Sequence, residues 1–277
     1  MMTLGELLLE GKKRLRAARI DEAELDAWYL LESVTGCTKH EYYLCPKRLT
    51  EENQEKKYLE LINKRTMHVP LQHLTGSQEF MGYTFRVNEH VLIPRQDTEI
   101  LVEEALKYVR PGMEILDLCT GSGCILLSIL KKVPGVLGYG TDISENALQV
   151  AGWNQEHLKT SARLWKSDLF EQIEGKFDCI LSNPPYIPSD VVDTLMEEVR
   201  DYEPRIALDG KEDGLYYYRK ITEQSPEYLK QGGMLFLEIG YDQAEAVMTL
   251  MERKFTQVRM IRDLSGCDRV VYGSVKL

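Results

Sequence analysis

Glu114-Ile115-Leu116-Asp117-Leu118-Cys119-Thr120-Gly121-Ser122-Gly123-Cys124-Ile125-Leu126-Leu127 is the stretch that decides the fold. The apolar run 114–118 reads as a buried strand, and 125–132 reads as a helix. Between them lies a turn with two glycines. Strand, glycine turn and helix in that order form the context of a nucleotide-binding turn. Gly121 and Gly123 let the backbone approach a ligand closely. The turn is not Gly-x-Gly-x-x-Gly, and no Gly-Lys-Ser/Thr follows, so a phosphate-cradling loop is not expected.

Outward from this unit the alternation continues. Strands are expected at 136–141, 164–166, Phe177–Ser182 and 234–239, with helices at 145–157, 216–229 and 243–254. Two closing strands, 255–261 and 270–275, look like an antiparallel hairpin. The pattern predicts an α/β fold with a mostly parallel, doubly wound sheet. Upstream, residues 1–75 read as a small helical bundle. Asp21 is a candidate cap for a helix at 22–34, Gly36 its stop, and Thr50 the cap of a helix running to residue 64. Residues 76–94 read as a β-hairpin linker with turns near Met81-Gly82 and Asn88-Glu89. Val91 and Ile93 are placed in a strand, and a helix capped by Asp97 or Thr98 follows. The expected domains are therefore 1–75, 76–94 and 95–277.

Composition limits the function. Net charge is −10, from 34 Lys+Arg against 44 Asp+Glu. Residues 1–75 hold 12 of each sign, so the remainder carries the whole deficit. An acidic body is a poor grip for nucleic-acid phosphates, so no nucleic-acid binding is expected. The one basic cluster, Lys12 to Arg19, reads as a solvated helix face. No apolar run reaches the ~18 residues of a membrane candidate, and the N-terminus does not read as a signal peptide; the expected location is the cytoplasm. The six cysteines form no Cys-x-x-Cys pair and the histidines no metal spacing, so reduced, mostly buried thiols and no metal are expected.

Three features at successive strand ends carry chemistry. The first is the turn, with Asp117, Cys119, Thr120, Gly121, Ser122 and Gly123. The second is Asp142, followed by Ile143. A carboxylate there can accept from two ribose hydroxyls. The third is Asp168, followed by Leu169, placed to accept from an adenine amino group. An adenosine-bearing ligand without a phosphate-binding device points to S-adenosylmethionine. Beside these, Ile180-Leu181-Ser182-Asn183-Pro184-Pro185-Tyr186-Ile187 ends a buried strand in two prolines, which cannot continue a ladder. Asn183 and Tyr186 are thus left at the carboxyl end of a strand, where open α/β sheets bind ligands.

These motifs in this order resemble the class I S-adenosylmethionine-dependent methyltransferases that act on a planar nitrogen. Pro70-Leu71-Gln72-His73-Leu74-Thr75-Gly76, Val91-Leu92-Ile93-Pro94-Arg95-Gln96-Asp97-Thr98-Glu99 and Tyr202-Glu203-Pro204-Arg205-Ile206-Ala207-Leu208 resemble the release factor glutamine N5-methyltransferase family, the PrmC/HemK proteins. The resemblance covers nearly the whole chain. It implies a Rossmann-like methyltransferase domain with a closing antiparallel hairpin, preceded by an N-terminal substrate-docking bundle. It implies S-adenosylmethionine bound by Asp117, Cys119 to Gly123, Asp142, Ile143, Asp168, Leu169 and Asn183. The implied substrate is the glutamine of the Gly-Gly-Gln loop in class 1 peptide chain release factors, bound by Asn183, Pro184, Pro185 and Tyr186. Of these, Asn183, Pro184 and Tyr186 carry the catalytic expectation. Asn-Pro-Pro-Tyr is shared with adenine-N6 methylases, and a ribosomal-protein glutamine is a sister substrate. Two departures stand out. Cys119 replaces the usual first Gly of the turn, which predicts a modest change in loop geometry with cofactor binding intact. Gln96 replaces a second Pro in the linker.

Overall fold

Thr3 opens the first helix. Its hydroxyl accepts from the Glu6 N–H while the Glu6 carboxylate takes the Thr3 N–H at 2.8 Å, a reciprocal capping box. Helix α1 (Leu4–Ala17) turns Leu4, Leu7, Leu8 and Leu15 inward. α2 (Ala23–Thr35), α3 (Lys39–Leu44), α4 (Glu52–Arg65) and α5 (Leu71–Thr75) follow, and α1, α2 and α4 share one core with Trp28, Leu30, Leu31, Tyr58 and Ile62. A Cβ on Gly11 would sit 2.0 Å from the Tyr58 hydroxyl, so only glycine lets α1 approach α4 there. Gly36 ends α2 in the left-handed conformation, as expected.

Three caps differ from expectation, the first being that Asp97 and Thr98 lie inside a helix whose N-cap is Arg95. α2 begins at Glu22 without a side-chain cap, and Asp21 plays no part. Thr50 donates its hydroxyl to the Met2 carbonyl at 2.8 Å, which leaves Glu51 to cap α4. In that case a tertiary partner outcompeted the local one. The short α3, with its own Thr38–Glu41 capping box, is an addition to the expected helices.

The computed structural model describes residues 1–276, and they fall into two compact units. The first is Met1–Ser77 together with Met196–Tyr202. Arg65 explains the second stretch. It donates through Nε to Asp26 at 2.7 Å and pairs through Nη1 with Glu198 at 2.8 Å. Glu197 lies 3.3 Å from His68, and the Tyr202 hydroxyl donates to the Met67 carbonyl at 2.6 Å. Burial holds the Asp26 carboxyl above its usual range in spite of Arg65.

The second unit comprises Gln78–Leu195 and Glu203 to the end of the described chain. It opens with the hairpin β1 (Ser77–Phe80) and β2 (Tyr83–Arg86), turning at Met81-Gly82. Val91 and Ile93 are buried but lie outside any strand, contrary to expectation. Their backbone is used elsewhere: the Val91 N–H donates to the Asn88 carbonyl and the Ile93 N–H to Glu203.

α6 (Gln96–Leu106) leads into alternating β3 (Glu114–Leu118), α7 (Cys124–Lys132), β4 (Leu137–Asp142), α8 (Glu145–Leu158), β5 (Ala162–Lys166) and β6 (Phe177–Ser182). The short α9 (Ser189–Val192), α10 (Glu197–Arg200) and a 3-10 turn at Arg205–Ala207 precede α11 (Tyr216–Tyr228). β7 (Leu229–Glu238), α12 (Ala244–Glu252), β8 (Phe255–Arg262) and β9 (Asp268–Val275) complete the chain. The seven-stranded sheet has the order β5-β4-β3-β6-β7-β9-β8. Its first five strands are parallel; β9 runs antiparallel to both β7 and β8. Strand order reverses between β3 and β6, the switch point where a ligand crevice forms. Two cores flank the sheet, one centred on Leu126, Leu181 and Phe236, the other on Leu116, Ile180 and Leu237.

Candidate active site

Register sets the site. Leu118 pairs with Thr141 on one side and Ser182 on the other, so β3, β4 and β6 end together. The Ser182 hydroxyl donates to the Leu118 carbonyl at 2.8 Å and ties two of these ends. At them opens a cavity of about 300 Å³. Cys119, Thr120, Gly121, Ser122, Asp142, Ile143, Asp168, Leu169, Asn183 and Pro185 all line it. Asp117, Gly123, Pro184 and Tyr186 are not among its lining residues.

The turn is held from below. Asp117 is fully buried; one carboxylate oxygen accepts from the Thr120 hydroxyl at 2.6 Å, and the other has no partner. Burial pushes its pKa up to about 7. Asp142 accepts from the Gly121 N–H through one oxygen and from the Ser144 N–H through the other, each at 2.9 Å. Burial still raises its pKa, against those backbone donors. A Cβ on Gly121, at φ +54, would meet nothing within 4 Å, so the backbone there faces open space. Cys119 does not adjust the loop to suit its Cβ. It takes φ +58, the left-handed conformation of a glycine, and Leu169 across the cavity does the same at φ +48. Such residues cost about 1 kcal/mol or more each and cluster where a ligand is held. Burial also pushes the Cys119 thiol well up.

Asn183 projects from the end of β6. Its Nδ2 donates to the Thr98 hydroxyl on α6 at 3.3 Å, and the register of β6 with β7 sets it beside the buried carboxyl of Glu238. The prolines carry the chain to Tyr186, whose carbonyl accepts from Gln243 at 2.9 Å. Gly214 stands so close that a Cβ would lie 2.3 Å from that carbonyl oxygen. Ile187 exchanges backbone bonds with Leu208 and Gly210, which fixes the direction in which the chain leaves the sheet.

The linker motif and the 202–208 motif are physically paired. Buried Glu203 takes the Ile93 N–H at 3.2 Å and the Arg95 guanidinium. Leu92, Pro94, Pro204 and Ile206 thereby reach the cavity wall. Asn154 was not legible as a site residue. It accepts from the Arg86 N–H at 2.7 Å and donates to the carbonyls of Arg86 and Ser122, stapling β2 to the glycine turn. Tyr216, Tyr217 and Lys220 line the cavity from α11, without a sequence signal. Thr98 and Glu238 did have one. Thr98 lies in the linker motif, and Glu238 is a lone carboxylate closing the apolar run Met234-Leu235-Phe236-Leu237. Of the six free cysteines, Cys37, Cys124 and Cys179 are buried, Cys119 and Cys267 are partly so, and Cys45 is exposed. Among the described residues no His, Cys, Asp and Glu cluster could hold a metal, and no helix is long and apolar enough to cross a membrane.

Comparison with known proteins identifies the chain. The PrmC N-terminal domain matches residues 6–76, and the methyltransferase small domain matches 96–200. The release factor glutamine methyltransferase of Caulobacter vibrioides is 41% identical across 98% of this chain and 96% of its own. That of Geobacter sulfurreducens is 39% identical across 99% and 97%. A solved methyltransferase from Pyrococcus furiosus shares the fold, with a TM-score of 0.54 and 17% identity over 82% of this chain and 100% of that one. Aligned nearly end to end with such relatives, and folded on the methyltransferase sheet, the chain belongs to the release factor glutamine methyltransferase family.

Proposed function

We propose that the chain transfers a methyl group from S-adenosylmethionine to the side-chain amide nitrogen, N5, of the glutamine in the Gly-Gly-Gln loop of class 1 peptide chain release factors. The residues present fit the methyl donor. Asp142 keeps lone pairs beyond its two backbone bonds for a pair of ribose hydroxyls. Ile143, Ala147 and Leu169 offer apolar faces for a purine, and Asp168 lies beside them as an acceptor. A volume of about 300 Å³ suits a small molecule. Bound there, S-adenosylmethionine supplies a methyl group already activated by its sulfonium.

The rest is positioning. A carboxamide nitrogen is a weak nucleophile because its lone pair is delocalised, so the protein must align it with the methyl group. Asn183 Oδ1 accepts one substrate N–H, and the Pro184 carbonyl accepts the other. Two acceptors orient the lone pair and stabilise the positive charge that grows on nitrogen. The methylated nitrogen is far more acidic than the amide, so no strong base is required. Tyr186 is mostly buried, and we assign it to supporting the motif from behind. The single observation that carries this reading is the place of Asn183 on the cavity wall at the carboxyl end of β6, its Nδ2 bonded to Thr98.

Residues 1–75, neutral by sequence, are the natural docking surface for a protein substrate, and the acidic remainder argues against nucleic acid. A substrate of the translation apparatus places the reaction in the cytoplasm. The test is mass spectrometry of a release factor, a ribosomal protein and DNA incubated in parallel with enzyme and S-adenosylmethionine. One methyl group on the Gly-Gly-Gln glutamine is expected; a well-folded enzyme that leaves it unmodified refutes the assignment. Asn183→Ala is expected to lower turnover about 100-fold while donor affinity, by calorimetry, changes far less.

A further inference from the structure

Below the Asn183 side chain lies a carboxyl group that the reaction as described does not use. Glu238 closes β7 inside the protein and is 2% exposed. One of its oxygens has no hydrogen-bond partner. The register that pairs Ser182 with Leu237 sets it beside Asn183, and the Thr98 hydroxyl and the Asn183 amide both favour its ionised form. Thr98, 2% exposed, itself accepts from Asn183 Nδ2. The three side chains come from α6 and from the carboxyl ends of β6 and β7.

An asparagine amide has two faces of nearly equal shape: Oδ1 accepts and Nδ2 donates. Only Oδ1 can receive a substrate N–H. If the amide turned over, Nδ2 would oppose the substrate nitrogen, donor against donor. An ionised carboxylate accepts only. It can face Nδ2 but not Oδ1, and so it selects one of the two orientations. Thr98 alone cannot, because a hydroxyl serves as donor or acceptor and would tolerate either.

We infer that Glu238 is a positioning residue for methyl transfer: with Thr98 it locks the Asn183 carboxamide so that Oδ1 faces the substrate. The inference rests on the amide-orienting role of Asn183 proposed above. A protonated Glu238 can donate to Oδ1 and release the lock, so the ionised form is the competent one. Burial pushes its pKa up to about 7, which places the change in the neutral range. Asp97 on α6 raises it further and Arg269 on β9 lowers it, while Tyr186, Tyr218 and Cys124 face the same carboxyl.

The experiment measures kcat, KM and donor affinity for the wild type, Glu238→Leu, Glu238→Gln, Asn183→Ala and the Asn183→Ala/Glu238→Leu double variant across pH 6 to 9. Glu238→Leu is expected to lose about 100-fold in kcat, with donor affinity within about threefold. Glu238→Gln retains an acceptor oxygen but can also donate, so it is expected to recover only part of that loss, about threefold to tenfold. The wild-type kcat is expected to rise with pH through neutrality and the Gln variant to lack that rise. Asp117 also titrates near neutrality, but it is common to both proteins, so the difference between profiles isolates Glu238. The double variant should be no slower than Asn183→Ala alone. Wild-type kcat in Glu238→Leu, equal losses in kcat and donor affinity, or additive losses in the double variant would overturn the inference. If Glu238→Leu does not fold, the Gln profile decides: an unchanged rise overturns it. Full activity of Asn183→Ala would instead overturn the underlying role of Asn183, so the two failures are distinct.

Discussion

Replacing Glu238 by Gln should make the protein's stability less dependent on pH, by an amount the structure sets. The carboxyl is fully enclosed, and burial lifts its pKa from an ordinary 4.5 to about 7. A difference of about 2.5 in pKa, at about 1.4 kcal/mol each, corresponds to about 3 kcal/mol. The sign follows from proton counting. Below pH 4.5 both states are protonated and the burial is harmless. Between 4.5 and 7 the unfolded chain loses this proton and the folded one keeps it, so folding stability falls as pH rises. Above 7 the loss is complete. A glutamine stays neutral throughout. The stability gap, Gln variant minus wild type, should therefore grow by about 3 kcal/mol from pH 4.5 to 8. Urea denaturation in a Trp28→Phe background reads the catalytic unit through Trp153 and Trp165. Asp117, also raised to about 7, is present in both proteins and cancels. A gap that stays constant within about 0.5 kcal/mol would refute the reasoning.

Gly214→Ala would place a methyl group 2.3 Å from the Tyr186 carbonyl oxygen and 2.7 Å from Gln243 Nε2, at φ +71. The expected result is a fall of at least about tenfold in single-turnover methyl transfer with donor affinity nearly unchanged, since the shift falls on the Asn-Pro-Pro-Tyr segment. Asn154→Ala strips the Arg86 N–H and the Ser122 carbonyl of a partner. It should destabilise the catalytic unit by about 2–4 kcal/mol in denaturant melts and weaken donor binding measured by calorimetry.

Where local pattern decides structure, the sequence was easy to read. Glu114–Leu118 and Phe177–Ser182 are apolar runs bounded by turns, and both strands form over those residues. Asp142 and Asp168 line the cavity because parallel strands deliver the residues at their carboxyl ends to one edge. Thr50 shows the opposite case. It has the right chemistry for a cap, but the Met2 carbonyl takes its hydroxyl, and only the folded bundle brings those residues together. Val91 and Ile93 alternate like a strand, yet Glu203, 110 residues beyond Ile93, claims the backbone donor that a strand would use. Glu238 is the instructive omission. A single acid at the end of an apolar run was visible, but its meaning depends on Thr98 and Asn183, which no spacing rule links to it.

Membership of residues 196–202 in the helical unit bears on how such proteins can be recombined. The chain passes between units at 77/78, 195/196 and 202/203. The partners of Arg65, His68 and Met67 in that segment are therefore encoded far downstream, inside the catalytic sequence. A chimera that exchanges only the first 77 residues with a relative would pair a foreign bundle with native Glu197, Glu198 and Tyr202. Exchange of the helical unit requires two grafts, the second only seven residues long, and selection acting on either piece acts on both.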